Sequence, residues 1–204
     1  MKRKFWILML LAFGAFALSG DSCFLSNKNI DVPLRGNVDM EFTSQGFTDS
    51  DAETVDFGEL LQDLEEDDAS SIDSLVSASI ENGFWRLIDN RVPGTVVTGS
   101  IDVQRMSTGD TEALIAPRSV DIDSVGTEFV VAPLEEAGID LLTAGFDEYV
   151  AWRNAGKDPI TRPELTYIFI WNSSSSQNAD FDWEARLRYT LVGVFKVEVP
   201  DIWD

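Results

Sequence analysis

Two stretches in the C-terminal part of the chain decide the fold: LTYIFIW (165–171) and WEARLRYTL (183–191). Each carries an apolar or aromatic side chain at every second position. A period of two places alternate side chains on opposite faces of a β-strand, so both stretches are predicted strands. The polar segment 172–178, with its run of serines, lies between them. We therefore predict an antiparallel hairpin with a loop at 172–178.

The same pattern recurs earlier in the chain. Strand-like runs of apolar side chains occur at 38–42, 75–88, 95–103, 112–116 and 127–131. Asn82-Gly83 within the second run marks either a hairpin turn or a bulge. No strand–helix–strand rhythm is present, which favours antiparallel pairing. The predicted fold is mostly β: an antiparallel β-sandwich of about eight strands with an immunoglobulin-like topology.

Two segments have helical rather than strand spacing. Leu60, Leu61 and Leu64 share one face of a short helix predicted near 57–66. A longer helix is predicted near 137–155, followed by Gly156 at the position of a C-cap. Its apolar face comprises Ile139, Leu142, Phe146, Tyr149 and Val150.

The N-terminus has the pattern of an export signal. Lys2, Arg3 and Lys4 precede FWILMLLAFGAFAL (5–18), which contains no charged residue. A basic start followed by an apolar run too short to span a bilayer is typical of a secretory signal peptide, predicted here over 1–22.

Cys23 is the only cysteine, so no disulfide forms within the chain. GDSC (20–23) resembles the lipobox of bacterial exported lipoproteins: Ser22 fits that pattern, whereas Gly20 and Asp21 depart from it. The resemblance covers only the leader and implies a lipid on Cys23 that anchors the protein in the membrane. With Phe24 rather than Asp next, it favours the outer membrane. Residues 23–36 would then be a tether, and 37–204 a single β-sandwich domain. An ordinary secreted protein cut after Ser19 or Gly20 is the alternative.

Composition excludes several functions. The net charge is −21, from 36 acidic and 15 basic residues, and there is no histidine. Such a surface repels phosphate backbones, so no nucleic-acid partner is expected. The absence of histidine excludes Ser-His-Asp and Cys-His sites and His-ligated zinc. No glycine-rich phosphate loop is present.

Carboxylates offer two candidate chemistries. Asp49, Asp51 and Glu53 stand at alternate positions, as in loops that wrap calcium, although the glycine and the later glutamate of an EF-hand are missing. Further acids cluster at 63–68 and at Asp121 and Asp123. A solvated acidic surface explains all three clusters equally. Paired carboxylates could also serve a glycoside hydrolase, but no motif marks a pair.

Tryptophans provide the remaining candidate site. Any two tryptophans that lay exposed on one sheet face would stack on sugar rings. The candidates are Trp85, Trp152, Trp171 and Trp183. Alternatively, Trp171 and Trp183 pack in the core as a cross-strand pair.

The predicted function is that of a non-enzymatic cell-envelope lipoprotein with a structural or recognition role, whose partner is an envelope protein or a glycan. A carbohydrate-binding module, with or without calcium, is the first alternative, and a carboxylate-based glycoside hydrolase is the second.

Overall fold

The computed structural model describes residues 25–68 and 72–200. The predicted signal peptide 1–22 and Cys23 lie outside these residues. Two helices and six strands follow in the order β1 (Leu25–Asp56), α1 (Phe57–Asp68), β2 (Ile72–Asn90), β3 (Val96–Arg105), β4 (Thr111–Asp121), β5 (Val130–Ala132), α2 (Glu136–Asn154) and β6 (Thr166–Pro200). No helix in the described ranges combines the length and the apolar character needed to cross a membrane.

The two longest strands, β1 and β6, form the frame of the sheet. They pair antiparallel from Leu25↔Pro200 to Asp56↔Thr166, with one irregularity between Gly46 and Thr48. Gly46 has φ 90, a conformation that favours glycine, so the strand can bend there.

The other edge of β6 is shared by two strands. Residues 167–175 of β6 pair with β3, and residues 181–195 pair with β2. β4 then pairs with β3, and β5 with β2. The result is one antiparallel sheet of six strands that curls into a half-barrel.

The prediction of a mostly β, antiparallel fold is therefore confirmed. About eight strands in two facing sheets were expected, whereas the structure has six strands in one curled sheet.

The predicted hairpin at 165–191 is wrong, because 172–178 continues β6 as strand. Serine hydroxyls in this bent segment of β6 form hydrogen bonds with β1. Ser175 donates to the Gly46 carbonyl oxygen at 2.9 Å, and the Oγ atoms of Ser173 and Ser44 lie 3.2 Å apart.

The predicted tether differs from the structure as well, because residues 25–36 belong to β1. Leu34 is buried and lies opposite Leu191, so this segment contributes to the core. Pro33 fits because β1 pairs with β6 alone among the described strands, and an edge strand tolerates a missing N–H. Of the two structures predicted for Asn82-Gly83, a hairpin turn or a bulge, the structure shows the bulge. β2 continues through these residues with a register shift between Ile80 and Asn82.

Both predicted helices are present, within a few residues of their expected bounds. They close the open side of the sheet over an aromatic core. Phe57 is fully buried, and its ring centroid lies 5.1 Å from Phe146, 5.9 Å from Tyr167 and 5.8 Å from Tyr189. Burying an aromatic side chain of this size contributes about 1.5–3 kcal/mol, so this cluster ties α1 and α2 to the sheet.

Candidate functional site

A cleft of about 470 Å³ opens where the sheet is left uncovered by the helices. Its mouth is bounded by the end of β4, the connection that follows it and β5, with Ile115 and residues 118–122, 124–126 and 130–133 in contact with the cavity. The Glu135 N–H donates to the Leu114 carbonyl oxygen at 2.9 Å. Residues 114–135 thus form a closed ring, here called the rim loop.

Three tryptophans lie beneath the rim loop and form what we call the tryptophan floor: Trp85 of β2 and Trp171 and Trp183 of β6. The ring centroids of Trp171 and Trp183 are 4.4 Å apart, at an interplanar angle of 58°. Trp85 meets Trp183 edge-on at 6.5 Å. The two β6 indoles, twelve positions apart in sequence, meet because the strand bends between them.

The floor is rigidly supported from behind. Phe42 stacks on Trp183 with centroids 4.8 Å apart, and Trp171 Nε1 donates to the Ser44 hydroxyl at 2.7 Å. Trp183 is only 3% exposed, and its Nε1 has no hydrogen-bond partner among the described residues. An unpaired buried donor costs about 1–3 kcal/mol, a strain that is common at functional sites.

Gly99 of β3 makes room for one of these indoles. A Cβ at this position would overlap the six-membered ring of Trp171. The missing side chain lets the indole lie directly on the β3 backbone.

The rim loop is held in place at two points. Asp123 accepts hydrogen bonds from Asn90 Nδ2 at 2.8 Å and from the Gly94 N–H at 2.7 Å. Phe129 lies under two guanidinium groups, with its ring centroid 4.6 Å from Cζ of Arg86 and 4.1 Å from Cζ of Arg186. Such cation–π contacts contribute about 0.5–1 kcal/mol each at exposed sites. The loop is therefore a fixed rim.

Two of the three acids proposed for calcium accept backbone hydrogen bonds at the bend of β1. Asp51 accepts from the Thr43 N–H at 2.9 Å, and Asp49 accepts from the Gln45 N–H at 2.7 Å. Glu53 contacts a separate shallow depression beside α1. Within the described ranges, no three acidic or cysteine side chains are grouped so as to hold a metal ion. Calcium at this segment stays a prediction.

The second acidic cluster contains one buried member, Glu65, which links the two helices. It accepts from Tyr149 Oη at 2.7 Å and from Arg153 Nε at 2.8 Å, and Lys157 Nζ lies 3.2 Å away. Burial alone would raise the pKa of Glu65, but the hydrogen bonds from Arg153, Tyr149 and Lys157 together hold it below its ordinary value. This is a structural ion-pair network. In the third cluster, Asp121 accepts from the Asp123 N–H at 3.1 Å.

Three of the four tryptophans proposed for sugar binding thus converge on one cleft. Trp152 lies elsewhere, and its Nε1 donates to the Asp158 carbonyl oxygen at 2.7 Å. The sequence patterns did not identify Gly99 or Arg118, which complete the cleft. A glycine inside an alternating strand was the available signal for the first.

No family model and no curated protein sequence matches the chain. Among solved structures, a chain of Desmodium yellow mottle tymovirus is similar with a TM-score of 0.34 at 9% identity, covering 89% of this chain and 96% of that chain. A chain of infectious bursal disease virus, Gx strain, has a TM-score of 0.30 at 14% identity, covering 89% of this chain and 42% of that chain. The VP2 subviral particle of the same virus has a TM-score of 0.27 at 13% identity, covering 91% and 46%. These scores assign the chain to no fold family.

Proposed function

We propose that this protein is an exported, lipid-anchored component of the cell envelope with a non-enzymatic recognition role, and that its ligand binds on the tryptophan floor. The observation that carries the binding part of the proposal is the cleft itself. Its volume of about 470 Å³ lies in the range of ligand pockets, which are mostly apolar with a few polar groups. The rim loop and the floor have that composition.

Polar groups in the cleft do not favour the hydrolase alternative. Glycosidases need two carboxyl groups that face each other across the scissile bond. Asp121 is the only carboxylate among the described residues that line this cleft. A recognition role needs no such pair.

The glycan alternative has one observation in its favour, the convergence of three indoles. Sugar platforms, however, present flat, exposed rings, whereas Trp171 and Trp183 are tilted by 58° and Trp183 is almost completely buried. We therefore favour a compact apolar ligand over an oligosaccharide.

Binding is tested with N-phenyl-1-naphthylamine, a neutral aromatic probe whose fluorescence rises in apolar surroundings. We expect saturable binding to the purified protein in detergent-free buffer. Val131→Trp should weaken this binding about tenfold, since Val131 lines the mouth and is 64% exposed. Val76→Trp is the matched control, because Val76 is 51% exposed on β2 and does not line the cleft. Absence of saturable binding, or equal effects of both variants, would refute the cleft proposal. Displacement by a soluble oligosaccharide would favour the glycan alternative.

Anchoring rests on the leader and is tested separately on the full-length chain. Metabolic labelling with palmitate should mark the native protein and not Cys23→Ser, whereas Ser26→Ala should be labelled normally. A mature N-terminus that mass spectrometry finds unacylated and cut after Ser19 or Gly20 would show an ordinary secreted protein instead.

A further inference from the structure

We propose that the cleft selects ring-bearing anions, meaning compact aromatic molecules with one carboxylate or sulfonate, and that Arg118 provides the charge for this selection. The inference rests on the proposed binding function of the cleft and adds the chemical class of its ligand.

Arg118 is placed on the cleft side of the sheet by its register. It lies directly opposite Gly99 in the β3–β4 pair. Residues directly opposite each other in an antiparallel pair extend from the same face. The face of Gly99 is the one covered by Trp171, so the Arg118 side chain leaves β4 toward the tryptophan floor, and it lines the cavity.

The guanidinium of Arg118 has no partner among the described residues. It takes part in none of the ion pairs formed between them. In a chain with a net charge of −21, acids outnumber bases by more than two to one, and most arginines here are paired. An arginine left exposed at the mouth of an apolar cleft is thus available for an external anion.

The one acid that lines the cleft does not neutralise this charge. Asp121 forms no ion pair with Arg118 among the described residues. Its Oδ1 already accepts from the Asp123 N–H. The cleft therefore offers one positive group above an aromatic floor.

Arginine and an apolar floor together define the ligand. A guanidinium binds carboxylate and sulfonate oxygens through two parallel N–H donors, which a neutral group cannot match. The indoles provide stacking and apolar contact for a ring of compact size. A flat ring with an anionic substituent at one end would contact both the guanidinium group and the indoles.

The test compares two probes that differ in a single charged group. 1-Anilinonaphthalene-8-sulfonate has the ring system of N-phenyl-1-naphthylamine plus one sulfonate. We expect the sulfonate probe to bind the wild-type protein about tenfold more tightly than the neutral probe, and this preference to shrink as NaCl is raised from 0.05 to 0.5 M.

Arg118→Ala should abolish the preference, measured as the ratio of the affinities for the two probes, whereas Arg118→Lys should retain part of it. Arg35→Ala is the matched control. It removes the same charge from the surface, where Arg35 is paired with Glu81 and does not line the cleft, and it should leave the preference intact.

Two results overturn the inference while the binding proposal stands: equal affinity for both probes, or a sulfonate preference that survives in Arg118→Ala. If neither probe binds the wild-type protein, the proposed function fails first and the inference falls with it. A preference lost equally in Arg35→Ala and Arg118→Ala shows an effect of net charge and also refutes the role of Arg118.

Discussion

Gly36 of β1 and Tyr189 of β6 lie directly opposite each other, and the tyrosine ring covers the glycine so closely that a Cβ there would overlap it. An aromatic ring over a glycine of an edge strand stabilises the pairing of that strand. Tyr189 is itself buried against Phe57. The contact therefore joins the start of β1 to the centre of the core.

The first prediction follows from this attachment. Leu34→Ala should lower the free energy of unfolding by about 2–4 kcal/mol, because it leaves a cavity at a side chain that is 6% exposed. Ile30→Ala, in the same segment but 45% exposed, should cost less than about 1 kcal/mol. Urea unfolding of both variants gives the two values. A negligible effect of Leu34→Ala would mean that 25–36 is a tether after all.

A second prediction concerns the close approach of Gly99 to Trp171. Gly99→Ala should displace the indole, which costs about 1–3 kcal/mol of stability and weakens binding of N-phenyl-1-naphthylamine. Gly126→Ala is the control for stability, because the nearest heavy atom to an added Cβ is 3.8 Å away there. Chemical unfolding and fluorescence titration measure both effects. Unchanged binding in Gly99→Ala would separate Trp171 from the site.

Local patterns predicted the elements of this fold better than their pairing. Most of the period-two runs and both helical faces appear in the structure, because the burial of regularly spaced side chains largely decides them, whereas in the run 127–131 the strand begins only at Val130. The serine run 173–176 looked like a loop, since serine favours turns when only neighbouring residues are considered. Its placement inside β6 depends on partners more than a hundred residues away, Ser44 and Gly46. One curled sheet arises for the same reason, because β6 pairs with three strands.

The site was predictable in its aromatic part only. Tryptophan is a recognisable candidate for ligand contact by its residue type alone, so the sequence already suggested Trp85, Trp171 and Trp183 as binding residues. Their convergence depends on the bend of β6 and could not be inferred from spacing. Arg118 carries no sequence signal at all, because its importance comes from the register with Gly99 and from the partners it lacks.

The third prediction is a pH dependence centred on Glu65. Its pKa lies below the ordinary value of 4.5 when the protein is folded, so the unfolded chain binds the proton more tightly. The stabilisation is therefore complete above about pH 4.5 and is lost as the pH falls through the folded pKa.

Glu65→Gln should remove that part of the acid dependence and cost about 3 kcal/mol at pH 7, because Arg153 and Tyr149 lose a charged acceptor. Glu66→Gln, one position away on the exposed face of α1, is the matched control and should change stability by less than about 0.5 kcal/mol. Urea unfolding between pH 3 and 7 compares the three proteins. Identical pH profiles for Glu65→Gln and the wild type would exclude Glu65 as a source of the acid sensitivity.

A fourth prediction separates structure from metal binding at the bend of β1. Asp51→Ala removes the acceptor of the Thr43 N–H and should cost about 1 kcal/mol whether or not calcium is present. The carboxylates of Asp49 and Asp51 already accept backbone hydrogen bonds, so a cation would have to compete with the strand for the same oxygens. Thermal melts in calcium chloride and in EDTA should therefore coincide for the wild-type protein. A melting temperature that rises with calcium in the wild type and not in Asp51→Ala would instead establish the calcium site, because an ion that binds only the folded state stabilises it more as the ion concentration rises.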